Sequence, residues 1–282
     1  GFLGATGLTL EQCEQRDGYY FATIERKGRA TAEVLKTIVE EALAAFGWPK
    51  SMRWGSRPLN WVRPLHSIVC LLDDAVVPVS FAHLTAGNVT QGHRFMAPGA
   101  ITIPHADNYA ALLEAAYVQV DYAARRAKIA AAIAELASAA KLELVQDEAL
   151  LDEVTGLVEW PVPLLGEFDR KFLSLPPEVL ISEMKVHQRY FALQDAAGKL
   201  SNQFIAVANM VTQDGGKRVI AGNARVLRAR LSDGEFYWEQ DRKKSLRDWA
   251  EGLKDVVFHA KVGMMDAKVK RIETLALAIA KE

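Results

Sequence analysis

The hydrophobic positions of this chain change period several times, and each change marks an element. Aromatic and β-branched residues cluster from Tyr19 to Glu25 (YYFATIE), as in a strand. From Ala30 to Phe46 apolar residues return every three to four positions, predicting an amphipathic helix. Val34, Ile38, Ala42 and Ala45 form its stripe and Gly47 closes it. Beyond Trp48-Pro49, the runs Ile68–Leu72 and Val76–Phe81 predict two strands around the turn residues Asp73-Asp74, and Ile101–Pro104 predicts a further short one. The stretch from Asp107 to Lys141 is predicted as two helices. Leu112, Leu113, Tyr117 and Val120 mark the first, and Ile129, Ile133 and Leu136 the second.

Helix and strand then alternate. Asp147–Leu157 predicts a helix with an acidic start, and Leu175-Pro176-Pro177 breaks the chain before another from Glu178 to about Gln188. Tyr190–Leu193 is expected to pair with Phe204–Asn209 across a turn around Gly198. From Lys217 onward the pattern is helical, with a break near Gly263. The fold class predicted is therefore α+β: a mixed helix/strand body over residues 1–215 and a mostly helical segment over 216–282. No internal repeat or low-complexity linker interrupts it.

Composition narrows the function classes. The chain has 282 residues, half of them hydrophobic, which suffices for a sizeable core and argues against disorder. No apolar run approaches the roughly eighteen residues of a membrane helix; Ile129–Leu136, the nearest, is interrupted by Glu135. A soluble protein with no membrane partner is expected. The net charge of −1 excludes a basic domain devoted wholly to nucleic acid but leaves room for a local basic face. Cys13 and Cys70 stand alone, without CxxC spacing, and read as structural thiols of a reducing, cytoplasmic setting. The chain starts Gly-Phe-Leu-Gly without Met or a signal peptide and stops inside a helical pattern (ETLALAIAKE), so it is expected to be a piece of a longer polypeptide.

The candidate chemistry is that of binding. Glu159–Phe191 and Gly222–Asp233 are dense in aromatics and cations, a mixture that suits gripping a polyanion. In the helix from Arg218 to Leu231, Arg218 and Arg225 share a face and Arg228 lies about 80° round. Val219, Ile220, Val226 and Leu227 are expected to form its buried side. The arginines would then meet either phosphates or the acids Asp233, Glu235 and Glu239. The loop GNVTQGHRF (Gly87–Phe95) offers Thr90, His93 and Arg94 to a ribose, a phosphate or a terminal nucleotide; alternatively it is a turn satisfying local carbonyls. Ser51–His66 interleaves Arg53, Arg57 and Arg63 with Trp54 and Trp61, an arrangement that stacks bases or fastens a loop through cation–π contacts. Met184 and His187 share a helix, but HExxH spacing is absent, so no metal site is predicted and His187 is assigned to an interface. Neither GxxxxGK[ST] nor GxGxxG occurs, and no nucleophile–base pair is recognisable, so no catalytic residue is assigned.

These residues also carry a resemblance. Met52-Arg53-Trp54, Arg63-Pro64, Thr90 with Gly92-His93-Arg94-Phe95, Glu159-Trp160-Pro161, Pro177–Ile181, Met184, His187-Gln188, Tyr190-Phe191, Asn209 and the block from Gly222-Asn223 through Arg225–Asp233 resemble, in order, the β subunit of the bacterial tetrameric glycyl-tRNA synthetase. The resemblance implies a role in charging tRNA with glycine beside a separate α subunit. That subunit binds glycine and ATP with Mg, so no cofactor is expected in this chain. The implied partners are the α subunit and tRNA(Gly), not DNA. It also implies a longer chain, continuing into an HD-like helical domain, opened here by Val257–Lys281, and an anticodon-binding domain. More distantly, the body resembles the substrate-checking region of the phenylalanyl-tRNA synthetase β chain. One departure is Gly234, where the family pattern has alanine; it allows a bend or helix end there. Three functions stay open: a body that positions tRNA and contacts the α subunit, a scaffold for the α subunit without tRNA contact, and a hydrolase of mischarged tRNA using a pocket near His93.

Overall fold

The computed structural model describes residues 7–23, 27–54 and 59–281. The chain divides into two units, Gly1–Gly92 with Gly99–Leu112, and His93–Pro98 with Leu113–Glu282.

The described residues of the first unit form hairpins and a long helix. β1 (Glu14–Arg16) pairs with β2 (Tyr19–Phe21), which is shorter than the aromatic run predicts; Ile24 and Glu25 lie outside the described residues. Helix α1 (Thr31–Ala44) follows as predicted, but with its stripe displaced by one position. Leu35, Val39 and Leu43 pack on the core, whereas Ile38 is 57% exposed. The two candidate stripes lie side by side on the helix, and the one ending in Leu43 rather than Ala42 removes more apolar area from water. Glu40 on α1 accepts hydrogen bonds from Lys36 (2.5 Å) and from the backbone of Ser80 (2.6 Å), tying the helix to the strands. β3 (Met52–Arg53) pairs with β4 (Asn60–Trp61). Asp73-Asp74 turns β5 (Leu71–Leu72) into β6 (Ala75–Val76) as expected. The single strand predicted over Val76–Phe81 is divided, however: Val77, Pro78 and Val79 separate β6 from β7 (Ser80–Phe81), which forms a second hairpin with β8 (Leu84–Thr85). β9 (Val89–Gln91) pairs with β10 (Ala100–Thr102), the strand anticipated around Ile101. Val77, Val79 and Ala86 form the core.

Helix α2 (Tyr109–Ala115) is the first of the predicted pair; its inward residue is Leu113, while Tyr117 and Val120 lie beyond it and are exposed. The second, α3 (Tyr122–Ala139), buries Ile129 and Ile133 as anticipated, together with Ala137.

The second unit is a sandwich of helices about a four-stranded antiparallel sheet, in spatial order β11 (Glu143–Leu144), β13 (Phe191–Gln194), β14 (Leu200–Ala208), β12 (Val162–Glu167). Helix α4 (Glu148–Leu157) starts at Asp147, whose carboxylate accepts from Leu150 N at 2.9 Å. The turn between β13 and β14 places Gly198 at φ 77°. Strand β12 is not anticipated by the sequence pattern, because Pro161 and Pro163 break it. It is an edge strand, where prolines are tolerated because one side needs no backbone donors.

Alternation along the strands feeds two cores. Ala192, Phe204 and Ala206 face α5 (Pro177–Ser182), its π-helical continuation Glu183–Gln188, and α6 (Lys217–Asp241). Phe191, Leu193 and Ile205 face α3 and α4. Covering both faces explains the nearly unbroken apolar runs of β13 and β14. Phe168, Phe172, Tyr190 and Phe191, which the sequence pattern assigns to a gripping surface, are core residues.

Helix α6 runs unbroken through Gly234 to Asp241. Beyond it come α7 (Leu246–Glu251), a hairpin of β15 (Val257–His259) and β16 (Gly263–Met264), and α8 (Met265–Ile279). The helical tail is thus interrupted by a hairpin, with Gly263, the first residue of β16, at φ 104°. Among the described residues no helix is long and apolar enough to cross a membrane.

Candidate nucleic-acid interface

Helix α6 carries five exposed cations, Lys217, Arg218, Arg225, Arg228 and Arg230, and its orientation is set at its start. Asp214 Oδ1 accepts from Thr212 Oγ1 (2.7 Å) and Gly216 N (3.1 Å), while Oδ2 accepts from Arg218 N at 2.9 Å. The Thr212 hydroxyl and these backbone donors hold the Asp214 carboxyl below its ordinary range. A carboxylate here also meets the positive end of the helix dipole. Gly216 has φ 86°, and a Cβ on it would stand 2.5 Å from Leu164 Cδ2. A Cβ on Gly166 would stand 2.7 Å from Ile220 Cδ1. The two glycines let α6 lie close against β12, where an added Cβ would have to push Leu164, Ile220 or Phe204 aside.

That face is Ile220, Ala224, Leu227 and Leu231, the last two fully buried. Val226, expected inside, is 46% exposed. It lies about 100° from Leu227 and off the row at i, i+4 that meets the sheet. Arg218, Arg225 and Arg228 are all exposed. Along the axis Arg225 stands about 10 Å from Arg218, and Arg228 about 5 Å further. Among the described residues none of the three forms an ion pair; Glu235, one acid expected to neutralise them, takes Lys171 at 3.1 Å. Phe236, eighteen residues beyond Arg218, returns to the same azimuth and is 55% exposed. The outward face therefore combines guanidinium forks with an aromatic ring.

The other candidates separate. Arg53 on β3 and Arg63 after β4 are exposed in the first unit. Trp61 is buried against Phe46, Trp48 and Phe81, with ring centroids 4.9–5.7 Å away, so other rings hold it, and among the described residues no arginine stacks on it. Arg57 lies outside the described residues. Thr90 belongs to the first unit, and lines a cavity of about 450 Å³ with Ser67, Val69, Leu71, Ala106 and Tyr109. His93 and Arg94 belong to the second, so the loop GNVTQGHRF is divided between units.

His93 is 1% exposed. Its Nδ1 accepts from the backbones of Phe95 and Met96 at 3.2 Å, which leaves the proton on Nε2 to donate to the Asn209 carbonyl at 2.7 Å. Both ring nitrogens are occupied, leaving none for RNA or for general-base work. Arg94 is exposed, its guanidinium 5.7 Å from the centroid of the equally exposed Phe95 ring. His187 is exposed on the π-helical turn.

Asn209 is the positioning residue that periodicity could not reveal. Its Oδ1 accepts from Glu159 N (2.6 Å) and Trp160 N (3.0 Å), and its carbonyl receives His93. Three segments distant in sequence are joined there. A single asparagine at the end of a strand reads only as a turn residue, and its partners are more than forty residues away.

The sequence profile described as glycyl-tRNA synthetase beta subunit matches residues 1–282. The chain is 51% identical over 278 residues to a glycine–tRNA ligase beta subunit of Phenylobacterium zucineum, covering 98% of this chain and 42% of that protein. The protein of the same name from Paracoccus denitrificans is 49% identical, with 99% and 42% covered. That from Myxococcus xanthus is 44% identical, with 94% and 37% covered. The chain thus spans about two fifths of the length of these curated relatives.

Proposed function

The chain belongs to the glycyl-tRNA synthetase beta subunit family, and from that premise we propose that it forms a non-catalytic body that holds tRNA(Gly) for a separate α subunit during glycylation in the cytoplasm. The observation that carries this reading is the outward face of α6, where Arg218, Arg225 and Arg228 are exposed and, among the described residues, form no ion pair. Arginines left open on a rigid helix are suited to bidentate phosphate contacts. The α subunit supplies the glycine site and ATP with Mg. Among the described residues of this chain, no three His, Cys, Asp or Glu side chains converge as metal ligands would. The hydrolase reading draws no support from His93, both of whose ring nitrogens are bonded within the fold.

A second reading, assembly with the α subunit alone, draws on the exposed rings of Phe236, Tyr237 and Trp249. Exposed aromatics of this kind are common at protein interfaces. The two readings part in the full-length β chain with its α partner. With Arg225→Glu and Arg228→Glu, the KM for tRNA should rise at least tenfold while glycine-dependent ATP–pyrophosphate exchange, which needs no tRNA, stays unchanged. An unchanged KM would support the scaffold.

A further inference from the structure

One cavity of the second unit is not used by the interface described above. It encloses about 400 Å³ and is walled by Val154, Leu157, Val158, Ala206 and Val207. Its polar lining is Gln188, Arg189, Tyr190, Asn209 and Asn223. Arg189 is neutralised by Glu153 at 2.6 Å and donates to backbone carbonyls of its own turn. The others are different. Among the described residues, the side chains of Gln188 and Asn223, the Tyr190 hydroxyl and Asn209 Nδ2 have no protein hydrogen-bond partner, although Tyr190 is 6% exposed and the three amides are half-buried.

The arrangement specifies its ligand. Burial pushes the Tyr190 phenol up to about 12, so it stays a neutral donor at physiological pH. The lining therefore offers three primary amides and a phenol, with no net charge. Each free amide presents a donor and an acceptor side by side, the pattern that pairs with the edge of a nucleobase. The aliphatic walls suit the faces of a flat ring, and the volume lies in the range of small-ligand sites. A phosphate or carboxylate would find no uncompensated cation here. Asn223 also sits on α6 two residues before Arg225, so the cavity and the arginine face share one rigid helix.

We infer that this cavity takes a single unstacked nucleobase, read by Gln188, Asn223 and Tyr190. The choice of a base over other flat amides rests on the RNA-contact reading of α6. A base leaving its stack to enter a protein pocket gives up stacking, which the hydrogen bonds in the cavity must offset.

The test uses the full-length β chain with its α partner and two fluorescent probes: free 2-aminopurine riboside, and a single-stranded RNA carrying one 2-aminopurine. Saturable binding of either probe, weakened roughly tenfold or more by Asn223→Ala or Gln188→Ala and less by Tyr190→Phe, supports the assignment. Binding of the RNA alone or of both probes identifies RNA as the source; binding of the riboside alone identifies a free nucleoside. Absence of saturable binding by both probes, or binding indifferent to these substitutions, overturns it. The riboside has no phosphate, so its binding is independent of Arg225 and Arg228, and failure here is distinguishable from failure of the tRNA reading. Circular dichroism of each variant separates impaired binding from an impaired fold.

Discussion

At the scale of single residues, the groups that matter most for the candidate interface touch no ligand. Gly216 combines a left-handed φ with Leu164 at 2.5 Å from a would-be Cβ. Gly216→Ala is expected to cost about 2 kcal/mol or more through backbone strain and overpacking, read as a lower urea midpoint at unchanged slope. Asp214 acts through protonation. Its folded pKa is depressed, chiefly by the Thr212 hydroxyl and then by the Arg218 backbone. Its contribution is therefore present above the unfolded-state value and is lost as pH falls through the folded one. Asp214→Asn should destabilise the chain at pH 7, and the gap to the native sequence should close in acid; a gap constant with pH would remove the carboxylate's role. Asn209→Ala leaves the Glu159 and Trp160 backbone donors without their acceptor. It should cost roughly 1–3 kcal/mol, whereas Asn209→Asp keeps the acceptor and most of the stability. The roles of Gly216 and Asn209 were not legible in the sequence, because they depend on one backbone angle or on segments distant along the chain. Asp214's partners lie only two to four residues away, a local pattern that hydrophobic periodicity does not mark.

At the scale of elements, periodicity was a good guide wherever one face is buried and one is wet. Helices α1, α3, α4 and α6 lie where their apolar repeats place them. The rotation was less legible. In α1 and α6 two adjacent apolar rows compete, and the choice of Leu35, Val39 and Leu43, or of Leu227 over Val226, is made by the sheet each helix meets. Strand β12 was missed because its prolines imitate a loop, and only its edge position makes them harmless. Helix α6 gives the clearest dissociation to test. Leu227→Ala or Leu231→Ala should cost about 2–5 kcal/mol, since both side chains are fully buried. Arg225→Ala and Arg228→Ala should stay within about 0.5 kcal/mol of the native sequence, as exposed residues without ion pairs do. Equal losses from both sets in thermal denaturation would mean that the arginines are structural.

At the scale of the whole molecule, a chain with net charge −1 shows how little the total says about a surface. Acids are consumed locally: Glu148 and Asp152 by Arg126, Asp147 by Lys185, Glu153 by Arg189, Glu235 by Lys171. That pairing takes Glu235 but neither Asp233 nor Glu239, so among the described residues the α6 arginines and these two acids stand unpaired on one helix, which could not be anticipated from composition. The motifs that marked the chain as a relative of the glycyl-tRNA synthetase β subunit prove to do different work. His93, Asn209 and the Glu159-Trp160 backbone knit the second unit together, while the Gly222–Asp233 block presents the cations. The central claim is that those cations meet tRNA phosphates, and the salt dependence of binding tests it most directly. For the full-length β chain with its α partner, log affinity for tRNA(Gly) should fall steeply with log salt. Removing Arg225 and Arg228 together should reduce the slope by roughly 1.5, at somewhat under one unit for each phosphate no longer neutralised. Identical slopes and affinities for the native and double-substituted proteins would contradict the claim and move tRNA recognition away from this helix.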